Sequence, residues 1–472
     1  MKRIMSNYVY NLIYQFSTFL IPIFLIPFVI DKLGPENLGI EAYTLTLIGF
    51  FVIFANFGIG TFGTREVAKI RDNEIKLKKE VYKIIIIKLL FTFLSFLCFL
   101  IFSINNDYVF FLMLQLVYFF GSTIFDMNWY YAGLEKFKLI VLRNLFIKVT
   151  GAILIFTLVK DEDDFGIYIL ITGLVILIPN LYFFVKALKE LGKPEFTEFK
   201  KREFFQTIRT IFPFFLLGLS IQFYMNIDKI IIEHFSYTYE LGIYNQIIKV
   251  LFAVIGPLTA VGTILMPYFS NIKESSGETN LLLKLSKSLN FLMILSIGMF
   301  CGIISISSNV ISLVLGDEFL IYENTFKIAC LMILTTALYN FVIQQILYPL
   351  NKERIYLFAV GFVSLLKMLL LFYVVPRFNL TAIMLVYIIC EFLILFLCMF
   401  FIRKDISFRK VFLRFNLMKI FIAGLVMFIF LSIVSFPVFF QIIYGGIIYI
   451  FCLLILGETT VRNIVKVAFK KK

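Results

Sequence analysis

An all-α polytopic membrane protein is the fold this sequence predicts, and three observations predict it. Of the 472 residues, 61% are hydrophobic and only 16% charged, whereas soluble domains carry about 25% charged residues. Apolar runs long enough to cross a bilayer recur from end to end. Lys and Arg fall almost wholly into alternate connecting segments.

The runs number 14: 8–30, 41–63, 84–103, 108–128, 139–159, 166–185, 210–234, 241–268, 288–315, 326–348, 355–375, 380–402, 418–436 and 440–457. Each must be helical, because an open strand in lipid leaves backbone groups unpaired. The runs are also too continuous for alternating barrel strands. The first run follows Met1-Lys2-Arg3 and imitates a signal peptide. It is too long for an h-region, and no small-x-small cleavage site follows, so it reads as a retained span. The second ends in Gly58-Ile59-Gly60-Thr61-Phe62-Gly63, which fits G-x-G-x-x-G. A dinucleotide fingerprint needs a short strand before it, and here a span precedes. Small residues permitting close helix contact account for it better. The fifth and sixth runs flank the acidic stretch Asp161-Glu162-Asp163-Asp164.

Fourteen spans place both termini on one side. The segments on that side carry 33 Lys and Arg, and the opposite loops carry only Lys32, Lys160 and Arg377. The termini are therefore expected in the cytoplasm. The net charge of +14 then reads as a topology signal and an attraction to anionic lipid. It is spread over eight short segments, which argues against nucleic acid.

A weak repeat divides the chain. Leu38-Gly39-Ile40 leads into the second span and Leu241-Gly242-Ile243 into the eighth. The expected organisation is a six-helix lobe over 1–205, a second over 206–402, and two additional helices with a basic tail over 403–472. Two such lobes would face each other across a central cavity, as repeat-built transporters do.

The single His234 argues against His-based metal sites and Ser–His catalysis. Cys98, Cys301, Cys330, Cys390, Cys398 and Cys452 lie in apolar runs without a C-x-x-C pair, so packing is their expected role. No Walker A sequence or glycosidase-like carboxylate pair occurs. No cofactor is expected.

The informative residues are polar ones inside spans, since a charge at mid-helix costs about 2.5–3.5 kcal/mol on insertion scales. In the first span Asn7, Asn11 and Gln15 form one stripe. In the seventh, Gln222, Asn226, Lys229 and Glu233 share a face. Asp228 and Lys249 reach similar depth in adjacent spans, as do Lys367 and Glu391. Lys148 sits mid-span with no local acid, and Arg143 and Lys88 lie near enough to the cytoplasmic face to snorkel. For Lys148, Lys249 and Lys367 a cavity-lining role competes with structural ion pairing between helices. The cations exceed the anions, so a water-filled cavity would attract an anionic head group such as a phosphate or pyrophosphate.

The sequence resembles the Wzx-type polysaccharide flippases of the multidrug/oligosaccharidyl-lipid/polysaccharide exporter superfamily along nearly its whole length. The resemblance rests on Leu33-Gly34-Pro35-Glu36-Asn37-Leu38-Gly39, Asn56-Phe57-Gly58 and Thr64-Arg65-Glu66-Val67-Ala68. It continues in Asp126-Met127-Asn128-Trp129-Tyr130-Tyr131-Ala132-Gly133-Leu134-Glu135, in Asp228-Lys229 and in Leu241-Gly242-Ile243-Tyr244. The stretch around the sole Trp129 is the most specific. The resemblance implies flipping of an undecaprenyl-pyrophosphate-linked oligosaccharide repeat across the bacterial cytoplasmic membrane by alternating access, driven by an H+ or Na+ gradient. A polymerase and a chain-length regulator are the partner proteins expected with it. Lys148, Lys249, Lys367 and Arg143 would hold the phosphates; Asn11, Gln15, Gln222, Asn226 and Lys229 would line the polar cavity. Asp228 or Glu391 would change partner or protonation. Relatives often carry Asp where Asn56 stands, so an acidic role is not carried over there.

Three other classes compete. A drug or cation exporter of the same superfamily has twelve spans and an acidic cavity, unlike the surplus of Lys here. An oligosaccharide polymerase would need a long outer loop. A non-transporting scaffold would not need charges at mid-depth.

Overall fold

Helices account for the architecture, and no strand occurs among the described residues. The computed structural model describes residues 2–193, 201–275, 278–404, 406, 411, 417–434 and 436–463. Side chains of the first 20 residues lie outside the description, and with them those of Asn7, Asn11 and Gln15. Among the described residues, 11 helices are long and apolar enough to cross a membrane, and two shorter apolar helices cover Val109–Ser122 and Leu417–Ile433. The protein is a multi-pass membrane protein. Its contacts cluster into two units, Met1–Asn245 and Gln246–Lys472.

In the first unit α1 runs Lys2–Asn56, bent at Gly34, whose φ of 70° suits glycine alone among common residues. The expected second span continues to residue 63, but the helix stops at Asn56. Phe57 and Gly58 both adopt positive φ, 43° and 77°, and a separate helix α2, Ile59–Ile70, starts there. A β carbon at Gly58 would stand 2.5 Å from the Phe215 amide nitrogen, so the turn is packed shut against a neighbouring backbone. Phe57 is held in its unusual conformation by stacking on Phe91 at 3.7 Å and on Phe215 at 4.8 Å between ring centroids.

Helix α3, Glu74–Ser103, begins at an Asn73 side chain that accepts the Lys76 amide at 3.0 Å. The fourth span is broken into α4, Val109–Leu114, α5, Leu116–Ser122, and α6, Asn128–Gly133. Helices α7, Phe137–Leu158, α8, Phe165–Leu191, and α9, Lys201–His234, complete the unit. Trp129 and Tyr131 are buried at the centre of one core with Phe57, Phe62, Val67 and Phe215. The glycine-rich stretch serves this core. A β carbon at Gly63 would stand 2.6 Å from the Trp129 ring, whereas one at Gly60 would meet nothing within 4 Å.

Helix α10, Thr238–Ser275, passes from the first unit into the second. There follow α11, Glu278–Ser305, α12, Ser307–Val314, α13, Glu323–Ala329, and α14, Leu331–Tyr339. The last of these continues into a π-helical segment, Asn340–Leu347. Helices α15, Glu353–Val374, α16, Leu380–Ile402, α17, Leu417–Ile433, and α18, Val438–Ile455, finish the chain. The final pair packs on α11: Gly424 lies against Ile297 and Cys301, and Tyr449 donates to the Ile294 carbonyl at 2.8 Å. Beyond α18, Glu458 is buried. Its carboxylate accepts the Val461 amide at 2.7 Å and the Asn290 side-chain amide at 2.6 Å. Burial pushes its pKa up, but the hydrogen bonds from Val461, Thr460 and Asn290 outweigh burial and hold the carboxyl below its ordinary value.

Two outcomes follow. Gly63→Ala is expected to lower thermal stability in detergent by about 1–3 kcal/mol through overpacking, while Gly60→Ala leaves the melting temperature level or slightly raised. A carboxyl depressed on folding contributes stability above its unfolded value, and that stability is lost as pH falls through the folded one. Wild-type stability should therefore fall more steeply than that of Glu458→Gln once pH drops below about 4.3, in parallel melts over a pH series.

Candidate functional site

Breaking a helix inside hydrocarbon frees carbonyls that water cannot reach, at several kcal/mol each if left unpaired. At the break after α5 three side chains from three other helices meet those carbonyls. Asn180 donates to Gly121 at 2.9 Å, Asn56 to Ser122 at 3.0 Å, and Lys88 to Asp126 at 2.6 Å. Asn56 thus works as a donor, which a carboxylate could not do. The Asp126 carboxylate accepts the Asn128 amide at 3.1 Å and lies 3.9 Å from the Arg143 guanidinium. Arg143 also donates to Asn180 at 2.8 Å and to Asn144 at 2.7 Å, with its guanidinium 5.6 Å from the Phe183 ring.

Snorkelling is not what Lys88 and Arg143 do. They are 2% and 8% exposed and turn inward. The signal for this was Asp126 inside an apolar run, since an intramembrane acid needs a buried donor.

The second unit holds its own charged cluster. Lys367 is fully buried, with its ammonium 4.4 Å from the Tyr387 ring centroid. Glu391 accepts the Thr335 hydroxyl and lies within hydrogen-bonding reach of Tyr387 and electrostatic reach of Lys367. The sequence placed Lys367 and Glu391 at one depth; Thr335 and Tyr387 were not singled out, because a hydroxyl in an apolar run more often bonds its own helix.

The remaining expected residues are less enclosed. Lys148, Lys229, Lys249, Gln222 and Asn226 are all half-buried. Gln222 lies over Gly49, where a β carbon would come within 2.7 Å of its amide nitrogen, and Asn226 donates back to the Gln222 carbonyl at 3.2 Å. Asp228 is fully buried and accepts the Tyr244 hydroxyl and the Lys229 amide. Among the described residues, no three His, Cys, Asp or Glu side chains gather as metal ligands.

One end of the first unit is closed by backbone. A β carbon at Gly39 would stand 2.0 Å from the Thr238 carbonyl oxygen, and one at Gly242 would stand 1.8 Å from that of Pro35. These are the glycines of the repeated Leu-Gly-Ile, each seated on the chain that leads into the other. Beside them Glu233 accepts from Tyr108 at 2.8 Å and Thr238 at 2.9 Å, and Asn106 donates to Tyr43 at 3.2 Å.

Membrane-crossing helices with charges held inside them are the build of an integral membrane transporter rather than of an anchor. Residues 4–273, more than half of the chain, match the family described as polysaccharide biosynthesis protein, and the chain belongs to that family. A Shigella dysenteriae protein, provisionally named an O-antigen transporter, is 21% identical over 345 residues, covering 72% of this chain and 85% of the relative. A protein of the same name from Escherichia coli (strain K12) is 26% identical over 168 residues, 34% of this chain and 40% of the relative. The lipid II flippase MurJ in an inward closed conformation shares the fold, with a TM-score of 0.68 at 15% identity over 98% of this chain and 100% of that one. The resemblance read from the sequence is borne out.

Removing Arg143 would leave Asp126 facing Lys88 alone and strip Asn180 and Asn144 of their donor. Arg143→Ala is expected to destabilise the protein by about 3–5 kcal/mol, as for a broken buried pair. Arg143→Lys should recover only part, because one ammonium cannot span both amides. Fluorescence-detected melting in detergent reads both.

Proposed function

We propose that this protein is a flippase that carries an undecaprenyl-pyrophosphate-linked oligosaccharide repeat across the bacterial cytoplasmic membrane by alternating access, for surface polysaccharide synthesis. The observation that carries this reading is the reciprocal seating of Gly39 and Gly242. Backbone against backbone closes one end tightly with no covalent link, and polar Glu233, Tyr108 and Thr238 border it, so such a closure can be undone. A scaffold or a polymerase has no use for a reversible seal. The charge pattern of the loops assigns that end to the outer face.

The substrate class follows from half-buried Lys148, Lys229 and Lys249. Ammonium groups at that depth suit an anionic head group that must bind and leave, with the polyprenyl chain remaining in lipid. The names of the relatives and of MurJ agree with a lipid-linked saccharide. We count fourteen crossings in two six-helix lobes plus two: α1 crosses twice about Gly34, and the two shorter apolar helices cross as well. A drug exporter of the same superfamily is disfavoured by the excess of Lys over acids.

The test is disruption in the native host followed by complementation. Loss of surface polysaccharide with lipid-linked repeats accumulating on the inner leaflet is expected, rescued by wild type. A hydrogen bond to a charged group is worth about 1.5–3 kcal/mol. Lys148→Ala and Lys249→Ala should therefore weaken rescue roughly ten- to a hundredfold. Normal polysaccharide with altered sensitivity to cationic drugs would overturn the reading.

A further inference from the structure

Past α14, over Asn340–Leu347, the backbone widens from α to π geometry. The Tyr348 amide donates to the Ile343 carbonyl and the Lys352 amide to the Leu347 carbonyl, each at 3.0 Å and each five residues back. Such segments are rare and are frequent at functional sites. This one, Asn340-Phe341-Val342-Ile343-Gln344-Gln345-Ile346-Leu347, contains no Pro or Gly that would impose a distortion. Tertiary contacts hold it. Gly262 on α10 makes room for the Asn340 side chain, whose Oδ1 would lie 2.5 Å from a β carbon there. Ser288 on α11 donates to Gln345 Oε1 at 2.6 Å. Gln345 is 1% exposed, and its Nε2 is buried with no hydrogen-bond partner. A buried donor left unpaired is costly, so the side chain that anchors this register is itself incompletely satisfied.

We infer that this segment is a two-register switch of the transport cycle, in which Gln344 and Gln345 alternate opposite Ser288. This rests on the flippase reading above. A π turn holds one residue more than an α turn. When the segment tightens to α geometry as a continuation of α14, each later side chain is displaced by one position, about 100° around the axis. Gln344 then arrives where Gln345 stands. The two are adjacent and identical in type, so Ser288 finds the same carbonyl acceptor in either register. A switch needs two discrete packed arrangements rather than a continuous deformation, and a tandem glutamine beside one hydroxyl supplies them.

A residue released from the segment passes into the connection 348–352 and displaces α15 against α14. One residue of helix is about 1.5 Å long, the size of shift by which packed helices switch. Helix α15 carries Lys367, and Thr335 of α14 bonds Glu391, so the displacement is felt at the enclosed charges of this unit. The Tyr339 and Tyr356 hydroxyls, 2.8 Å apart, mark the joint between the two helices in the present register.

The test is hydrogen–deuterium exchange read by mass spectrometry on full-length protein in detergent, with no substrate. In wild type the amides of 340–347 should exchange roughly tenfold faster than those of α14, because changing register opens the bonds of the segment together. Gln344→Leu removes the second glutamine and should slow that exchange roughly tenfold, the effect of about one hydrogen bond. Gln345→Leu leaves only the shifted register with an acceptor for Ser288 and should quicken it. A static segment predicts no response to Gln344→Leu, since Ser288 then bonds Gln345 throughout. In the native host Gln344→Leu should lower surface polysaccharide at unchanged protein level. Wild-type exchange no faster than that of α14, exchange unmoved or quickened by Gln344→Leu, or full polysaccharide with Gln344→Leu would overturn the proposal. If disruption in the host shows no role in polysaccharide export, the flippase reading fails, and the opposite responses of the two glutamine variants decide the switch by themselves.

Discussion

Hydrocarbon offers no hydrogen-bond partner, and the architecture of this protein follows from that constraint. Wherever the backbone leaves a regular helix inside a span, a side chain from elsewhere has to meet it. The interrupted fourth span shows the cost and the solution together. Lys88, Asn56 and Asn180 each reach across from another helix to one freed carbonyl. Arg143 then balances Asp126 and holds Asn180 in place. Four helices are thereby fastened at one depth by groups that would be ruinous there unpaired.

Close approach of backbones is the second organising device. With little hydrophobic driving force between helices in lipid, contact depends on small residues. Gly63 admits the Trp129 ring, Gly58 admits the Phe215 backbone, and Gly39 and Gly242 admit each other's leading strands of chain. The first two contacts lie within a buried apolar core, to which Trp129 and Phe215 belong. The last pair is bordered by polar groups, Glu233, Tyr108 and Thr238. The same residue type therefore serves both an apolar core contact and a contact with a polar border.

Charges fall into two kinds for the same reason. Arg143 and Lys367 are enclosed, with Asn180 on the first and the Tyr387 ring on the second, as parts of a packed interior are. Lys148, Lys229 and Lys249 keep partial exposure, which is why the proposed function gives the anionic head group to them rather than to the enclosed charges. Mid-span position alone does not separate these kinds.

The sequence by itself determined the membrane class, the helices and their approximate limits. Those properties depend on length and polarity along the chain, and hydrocarbon penalises every exception. The equivalence of Gly39 and Gly242 was also legible, as a short repeat, and so was the importance of the stretch around Trp129. Tertiary structure alone decided where the spans break, since the positive φ of Phe57 is held by stacking on Phe91 and Phe215 from distant helices. It alone decided that Lys88 turns inward, because a lysine near a span end can snorkel to water or reach a carbonyl, and only the position of Asp126 in space settles which. The contact between Tyr339 and Tyr356 was likewise invisible, because they sit on different helices and no spacing along the chain records that their hydroxyls meet.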